Sequence, residues 1–186
     1  MTDLTTAKAD ARKAAFARRK AAHLAFRDKG SEALVRHLTG STGRVIAGYL
    51  PIRTEADPVP AMEALAPKNT LCVPVVEGPG RPLSFRAWEP GVPLVEGAFG
   101  VMVPASGATL IPELVIVPMV AFDPALFRLG YGGGFYDRTL AGLRAAGPVT
   151  ALGFAYSEQE APSLPLEPTD QPLDLLVTEA GVRSRL

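Results

Sequence analysis

Polar and apolar positions along this chain fall into blocks whose period alternates between helical and extended. From Thr6 to Lys29 the residues are mainly Ala, Lys and Arg, all good helix formers, and Gly30 offers a natural cap for a helix over about 6–29. Ser31 then starts a second helix that runs to about Leu38. Arg44 to Leu50 reads as a strand leaving into a loop at Pro51. Pro58 to Ala66 reads as a short helix, because prolines are tolerated in a first turn. Leu71 to Val76 and Leu83 to Trp88 read as strands separated by a Gly-Pro-Gly turn. Phe85 and Trp88 are taken to share one face of the latter, as core rather than as a ligand platform.

The clearest strand is the unbroken apolar run Leu114 to Ala121, a pattern suited to the middle of a sheet covered on both faces. After a glycine loop, a helix is expected from about Tyr136 to Ala145, then strands at Val149 to Phe154 and Leu175 to Val177. Strands alternating with helices predict an α/β domain with a largely parallel sheet. Residues 92–112 show no periodicity that assigns them an element.

Composition narrows the class. Of 186 residues, 47% are hydrophobic, enough for a substantial core. The single cysteine, Cys72, allows neither an internal disulfide nor a zinc spacing, which fits a reducing compartment. Lys and Arg number 19, as do Asp and Glu, and the balance argues against a nucleic-acid or membrane-surface binder. The first thirty residues are basic, but no apolar stretch follows them as in a secretory signal, and no run reaches membrane-spanning length. A soluble cytoplasmic protein is expected.

Chemistry concentrates in Phe122 to Arg138, which follows the buried strand and opens a helix, where α/β folds place ligands. Gly130, Gly132, Gly133 and Gly134 let backbone N–H groups turn toward a phosphate, and Arg128 adds a forked donor. The spacing fits neither the dinucleotide fingerprint nor a Walker A loop. By itself it reads equally as an anion cradle or a plain turn. Asp137, at the helix start, suits either the helix dipole or Mg²⁺. Lys8, Arg12 and Arg19 fall within roughly 40° of one another around the helix, a basic stripe that is more often simply solvated. Glu55 follows a strand end and could accept hydrogen bonds from an amide-like ring. His23 and His37 have no partners that make a triad.

Five segments in order give the chain a resemblance to the 5-formyltetrahydrofolate cyclo-ligases. They are the basic helix with Lys8 and Arg12; Tyr49-Leu-Pro-Ile-Arg-Thr-Glu55; Leu83 to Trp88 with Gly97-Ala-Phe-Gly100; Val117 to Asp123 with Arg128-Leu-Gly-Tyr-Gly-Gly-Gly-Phe-Tyr-Asp-Arg138; and Asp170 through Asp174 to Glu179. Val103 and Thr169 depart from it, standing where a Glu or Gln and a His are frequent. The resemblance implies one three-layer α/β/α domain over residues 1–186. It implies ATP binding by Lys8, Arg12, Arg128, Leu129, Gly130, Tyr131, Gly132, Gly133, Gly134, Phe135 and Tyr136, with Arg128 as the catalytic residue. Leu50, Glu55 and Tyr131 to Phe135 would border the folate, and Asp137 and Asp170 would hold Mg²⁺. The implied reaction converts 5-formyltetrahydrofolate, with or without a polyglutamate tail, to 5,10-methenyltetrahydrofolate. A monomer without nucleic-acid or membrane partners is expected. Two other readings stand beside it: a non-catalytic folate- or nucleotide-binding relative, and a sugar-phosphate or coenzyme A enzyme on a similar layout.

Overall fold

A computed structural model describes residues 3–185; the first two residues and the last of the expected domain lie outside the described residues. The chain opens with α1 (Leu4–Leu38), one continuous helix where two were expected. Gly30 does not cap it. Its Cα lies against the sheet, where an added Cβ would sit 3.5 Å from the Tyr156 ring and 3.7 Å from that of Phe154. Helix formers on both sides carry the backbone through. Ser31, expected as a cap, donates its hydroxyl to the Asp57 carbonyl at 2.8 Å and so ties the helix to the following loop.

After α1 come β1 (Val45–Ala47), α2 (Val59–Leu65), β2 (Thr70–Val76), β3 (Leu83–Trp88), β4 (Leu94–Glu96), β5 (Met102–Pro104), β6 (Leu114–Val117), β7 (Ala121–Phe122), β8 (Arg128–Leu129), α3 (Phe135–Ala146), β9 (Thr150–Phe154), β10 (Leu175–Thr178) and β11 (Gly181–Ser184). Seven strands form the main sheet in the order β11-β10-β9-β6-β1-β2-β3. Neighbours from β10 to β2 run parallel, while β3 and β11 close the edges antiparallel. The expected mostly parallel α/β sheet is what forms.

Side-chain alternation builds the layers. Ile46, Leu71, Leu114, Ile116, Leu152 and Phe154 face α1 and α2, packing with Leu34, Leu38 and Met62. Their neighbours Ala47, Cys72, Val115, Val117 and Ala151 face the other side, with Leu140 and Tyr136 of α3. A period of two on a sheet buried on both faces is the reason these strands read as solid apolar runs. Phe85 and Trp88 follow the same rule and correct the expectation of a shared face. Three residues apart, they point oppositely, Trp88 into the first cluster and Phe85 into the second.

The apolar run 114–121 is not one strand. Pro118 has no N–H to donate, β6 ends at Val117, and Ala121 and Phe122 pair with Leu129 and Arg128 in a separate hairpin. That hairpin, with Ala15 of α1, Ala161 and Leu164, makes a third apolar cluster. Residues 92–112 contain a second small hairpin, β4 with β5, whose Leu94, Val95 and Met102 are exposed. Among the described residues no helix is long and apolar enough to cross a membrane.

Candidate active site

The loops carrying the candidate residues all leave the carboxyl ends of parallel strands: 48–58 after β1, 118–134 after β6, and 155–174 after β9. That is where an open α/β sheet leaves a crevice. The N-terminal half of α1 lies across them. Lys8 is almost fully buried, with its ammonium 2.8 Å from Asp170 Oδ2 and 3.3 Å from Glu167 Oε2. One turn on, Arg12 Nε donates to the Gly130 carbonyl at 2.9 Å. Two further turns on, Arg19 has no exposed surface at all. At 1.5 Å per residue, Lys8 to Arg19 spans roughly 16 Å, so the basic stripe joins Asp170 at one end to Glu55 at the other.

Within the glycine loop the four glycines are not equivalent. Gly132 and Gly134 have positive φ, 104° and 63°, which a side chain resists. Gly133 leaves room for the Phe135 ring, 2.5 Å from where its Cβ would be. Gly130 has neither constraint; nothing lies within 4 Å of its missing Cβ. Gly134 caps α3 without a side-chain hydrogen bond, so the first N–H groups of the helix keep their capacity for an anion. Phe135 stacks beneath the Arg138 guanidinium, 5.6 Å from the ring centroid, and against the exposed Phe99, 6.1 Å away.

Arg128 is buried and ion-paired. Its Nη1 donates to Asp137 Oδ1 at 3.0 Å and to the Gln171 carbonyl at 2.8 Å. The Gln171 N–H also donates to Asp137 Oδ1, at 2.9 Å. Gln171 follows Asp170 directly, so the backbone next to Asp170 is bonded to Asp137, while the Asp170 carboxylate itself accepts from Lys8 and the Glu167 N–H. Both bonds to Asp137 fall on one oxygen, which leaves Oδ2 for a ligand. Two hard oxygen donors suit Mg²⁺, which takes one or two carboxylates and fills its shell with water and phosphate. No group of three or more His, Cys, Asp or Glu side chains placed to hold a metal occurs among the described residues.

At the far end Glu55 is buried, its Oε2 accepting the Ile52 N–H at 2.9 Å and its Oε1 lying 4.0 Å from Arg19 Nη1. Burial raises its pKa; the Ile52 N–H and the Arg19 charge oppose the rise. Burial likewise pushes the Tyr131 hydroxyl up to about 12, with the nearby Glu55 charge adding to the effect. Tyr131 therefore stays a neutral donor and acceptor.

The structure thus joins Lys8 with Asp170, Arg12 with the glycine loop, Arg128 with Asp137, and Glu55 with Tyr131. Leu129 turns its side chain into the third cluster and Tyr136 packs on the second. Leu50 is half-buried against the first. Arg19 was visible on the basic stripe, but the helical period cannot tell a buried charge from a solvated one. Phe99 and Arg138 carried no periodic signal. Val103 is buried in β5, its methyls 3.3 Å from the position of a Cβ on Gly97. A groove lined by His23, Arg27, Ser31, Glu32 and Asp57 contains none of the candidate residues.

Comparison with known proteins adds an independent finding. A model of the 5-formyltetrahydrofolate cyclo-ligase family matches residues 4–179. The 5-formyltetrahydrofolate cyclo-ligase of Mycolicibacterium smegmatis is 30% identical over 183 residues, which cover 92% of this chain and 93% of that protein. The Haemophilus influenzae cyclo-ligase is 38% identical over 101 residues, 51% of this chain and 54% of that protein, so this alignment spans about half the length of the relative. The solved 5,10-methenyltetrahydrofolate synthetase of Aquifex aeolicus superposes with a TM-score of 0.78 at 33% identity, covering 95% of this chain and 92% of that one. A second synthetase structure, from Mycoplasma pneumoniae, shares the fold, with a TM-score of 0.69 at 24% identity over 92% of this chain and 98% of that one.

Proposed function

The chain belongs to the 5-formyltetrahydrofolate cyclo-ligase family, and from that premise we propose that it uses ATP and Mg²⁺ to convert 5-formyltetrahydrofolate to 5,10-methenyltetrahydrofolate. ADP and phosphate are the other products. The observation that carries the reading is the line of cations from Lys8 through Arg12 to Arg19, buried at both ends, which puts cations and backbone donors at one end of a crevice and the Glu55 carboxylate at the other. A triphosphate and a ring with amide-like N–H groups are the ligands that such ends recognise.

In this reading the formyl oxygen takes the γ-phosphoryl group of ATP, and ADP departs. N10 then attacks the formyl carbon, its proton is lost, and the carbon–oxygen bond to the phosphate breaks. Both nucleophiles are substrate atoms, so the protein's work is to position and to neutralise charge. Arg128, Lys8 and the first N–H groups of α3 would hold phosphoryl oxygens. Tyr131, beside the glycine loop and within reach of Glu55, would separate the nucleotide from the folate. Glu55 would accept the ring N–H groups and fix the face that N5 presents. Asp137 and Asp170 would hold Mg²⁺, which when bound offsets charge on the phosphates. Lys8 and Arg128 already neutralise these two carboxylates, so the ligand-free site carries little unbalanced charge. The proposal includes a cytoplasmic monomer that takes its folate with or without a polyglutamate tail.

The test is growth of the methenyl absorbance when protein, 5-formyltetrahydrofolate, ATP and Mg²⁺ are mixed, against a control lacking ATP. Arg128→Ala should lower kcat by about 10²–10³ while the protein stays folded. Near-normal turnover of that variant would remove Arg128 from the mechanism. Folate binding without turnover by the wild type would replace the enzyme with a binding protein of the same fold.

A further inference from the structure

We infer that Arg19 is the positioning residue that locks the Glu55 loop to the glycine loop and keeps Glu55 ready, as a carboxylate, to accept hydrogen bonds from the folate ring. This rests on the cyclo-ligase reading above, but its own evidence is the geometry of one side chain. The Arg19 guanidinium is wholly buried. Nε donates to Thr54 Oγ1 at 3.2 Å, Nη1 to the Met119 carbonyl at 3.2 Å, and Nη2 to the Tyr131 hydroxyl at 2.7 Å. Its charge lies 4.0 Å from Glu55 Oε1. The Phe16 and Tyr131 rings flank it, each centroid 5.3 Å from the central carbon.

A charge in such a place is rarely there for stability. Removing a guanidinium from water costs several kcal/mol, and an apolar side chain of similar volume commonly serves a core as well or better. What an apolar side chain does not do is hold three loops at fixed points. Thr54 and Glu55 belong to the loop after β1, Met119 to the link between β6 and β7, and Tyr131 to the glycine loop. A single planar fork joins all three, which a lysine ammonium, with its flexible stem, does not reproduce. Arg19 therefore acts through Glu55 and Tyr131 rather than on substrate atoms.

The groups that face Glu55 are Arg19 from α1, the Ile52 N–H and Arg53 from its own loop, Tyr49 from the strand end before it, Tyr131 from the glycine loop, and Tyr136 from α3. Of the two cations, Arg19 is the one wholly buried beside the carboxylate. Without it, burial acts on Glu55 with less opposition, and the carboxylate takes up its proton at higher pH.

The experiment compares wild type with Arg19→Met, Arg19→Lys and Tyr131→Phe. KM is measured for each ligand, kcat/KM for 5-formyltetrahydrofolate is followed against pH, and folate binding is measured by calorimetry without ATP. For Arg19→Met, the folate KM should rise about tenfold or more, as expected for losing hydrogen bonds to a charged group, with the ATP KM little changed. The acid limb of its pH profile should move to higher pH. Arg19→Lys keeps the charge and should leave the acid limb in place, yet still weaken folate binding. A folded Arg19→Met with wild-type folate KM and an unmoved acid limb would overturn the inference. If Arg19→Met does not fold, Arg19→Lys decides: unchanged folate affinity rejects the lock, and a loss shared and not compounded with Tyr131→Phe supports it. A wild type that binds folate but never turns it over would refute the cyclo-ligase reading alone, since calorimetry still tests Arg19.

Discussion

The two halves of α1 are made from the same helix-forming residues and bury opposite things. The C-terminal half sends Ala22, Ala33, Leu34 and Leu38 into the core over the sheet. The N-terminal half sends Lys8 and Arg19 beneath the loops at the strand ends, with only Ala15 fully buried among apolar neighbours. Apolar burial stabilises wherever it occurs, whereas a buried charge is tolerated only where partners are already in place. Here the partners come from three loops: Asp170, the Gly130 carbonyl and Tyr131 hydroxyl of the glycine loop, and Glu55. One half of the helix therefore secures the fold, and the other assembles a site at some cost to the fold. Large effects on stability should come from the first, and large effects on turnover from the second.

Leu34→Ala should break the first half most sharply. Leu34 is fully buried in the main cluster, so its truncation should lower stability by about 2–5 kcal/mol, read from denaturant unfolding, with kcat of the folded fraction unchanged. Lys8→Met should do the reverse. It removes the cation beside Asp170 and should cut kcat/KM by about 10²–10³, with a much smaller change in unfolding. A large stability loss from Lys8→Met, or a kcat change from Leu34→Ala, would erase the distinction between the halves.

Glu55 sharpens the comparison through pH. Burial raises its native pKa above the unfolded value of about 4.3, so its contribution to stability is fully present only below that value. The contribution is lost as pH rises through the native pKa. The Tm difference between wild type and Glu55→Gln should therefore move against the wild type as pH rises from about 4.3 through the raised native pKa. A difference moving the other way would mean that the Arg19 charge and the Ile52 N–H outweigh burial. The smallest effect is at the junction of the halves. Gly30→Ala should stabilise by about 0.5–1 kcal/mol, because the backbone there is helical and the new methyl meets two rings at ordinary contact distances of 3.5 and 3.7 Å. A fall in Tm would show that the glycine is needed for close approach of helix and sheet.

Much of this was readable in advance for a physical reason. Alternation and apolar runs report burial directly, so the strands at Leu71, Leu83 and Leu114, the helix after the glycine loop, and the parallel sheet followed from local pattern. The order of Lys8, Glu55, the glycine segment and Asp170 was enough for a family resemblance. Where local pattern misled, a distant neighbour was responsible. Gly30 looks like a cap until Phe154 and Tyr156 are packed against it. Pro118 divides the run 114–121, whose downstream part is claimed by pairing with β8. The β4–β5 hairpin exposes Leu94, Val95 and Met102 and buries Val103 of β5, too short a pattern for a period to mark it.

Local pattern was enough for the parallel strands, the helix after the glycine loop, the place of that loop behind a buried strand, and the charges that share a face of the first helix. Which of those charges are buried, and what each one meets, follows from contacts between residues far apart in the chain. Lys8 finds Asp170 across 162 residues of chain, and Arg19 finds Tyr131 across 112. Helix and strand periods are properties of a few neighbouring residues. The environment of a charge is set by whichever distant loops the fold folds over it, and that environment separates the line from Lys8 to Arg19 from an ordinary solvated stripe.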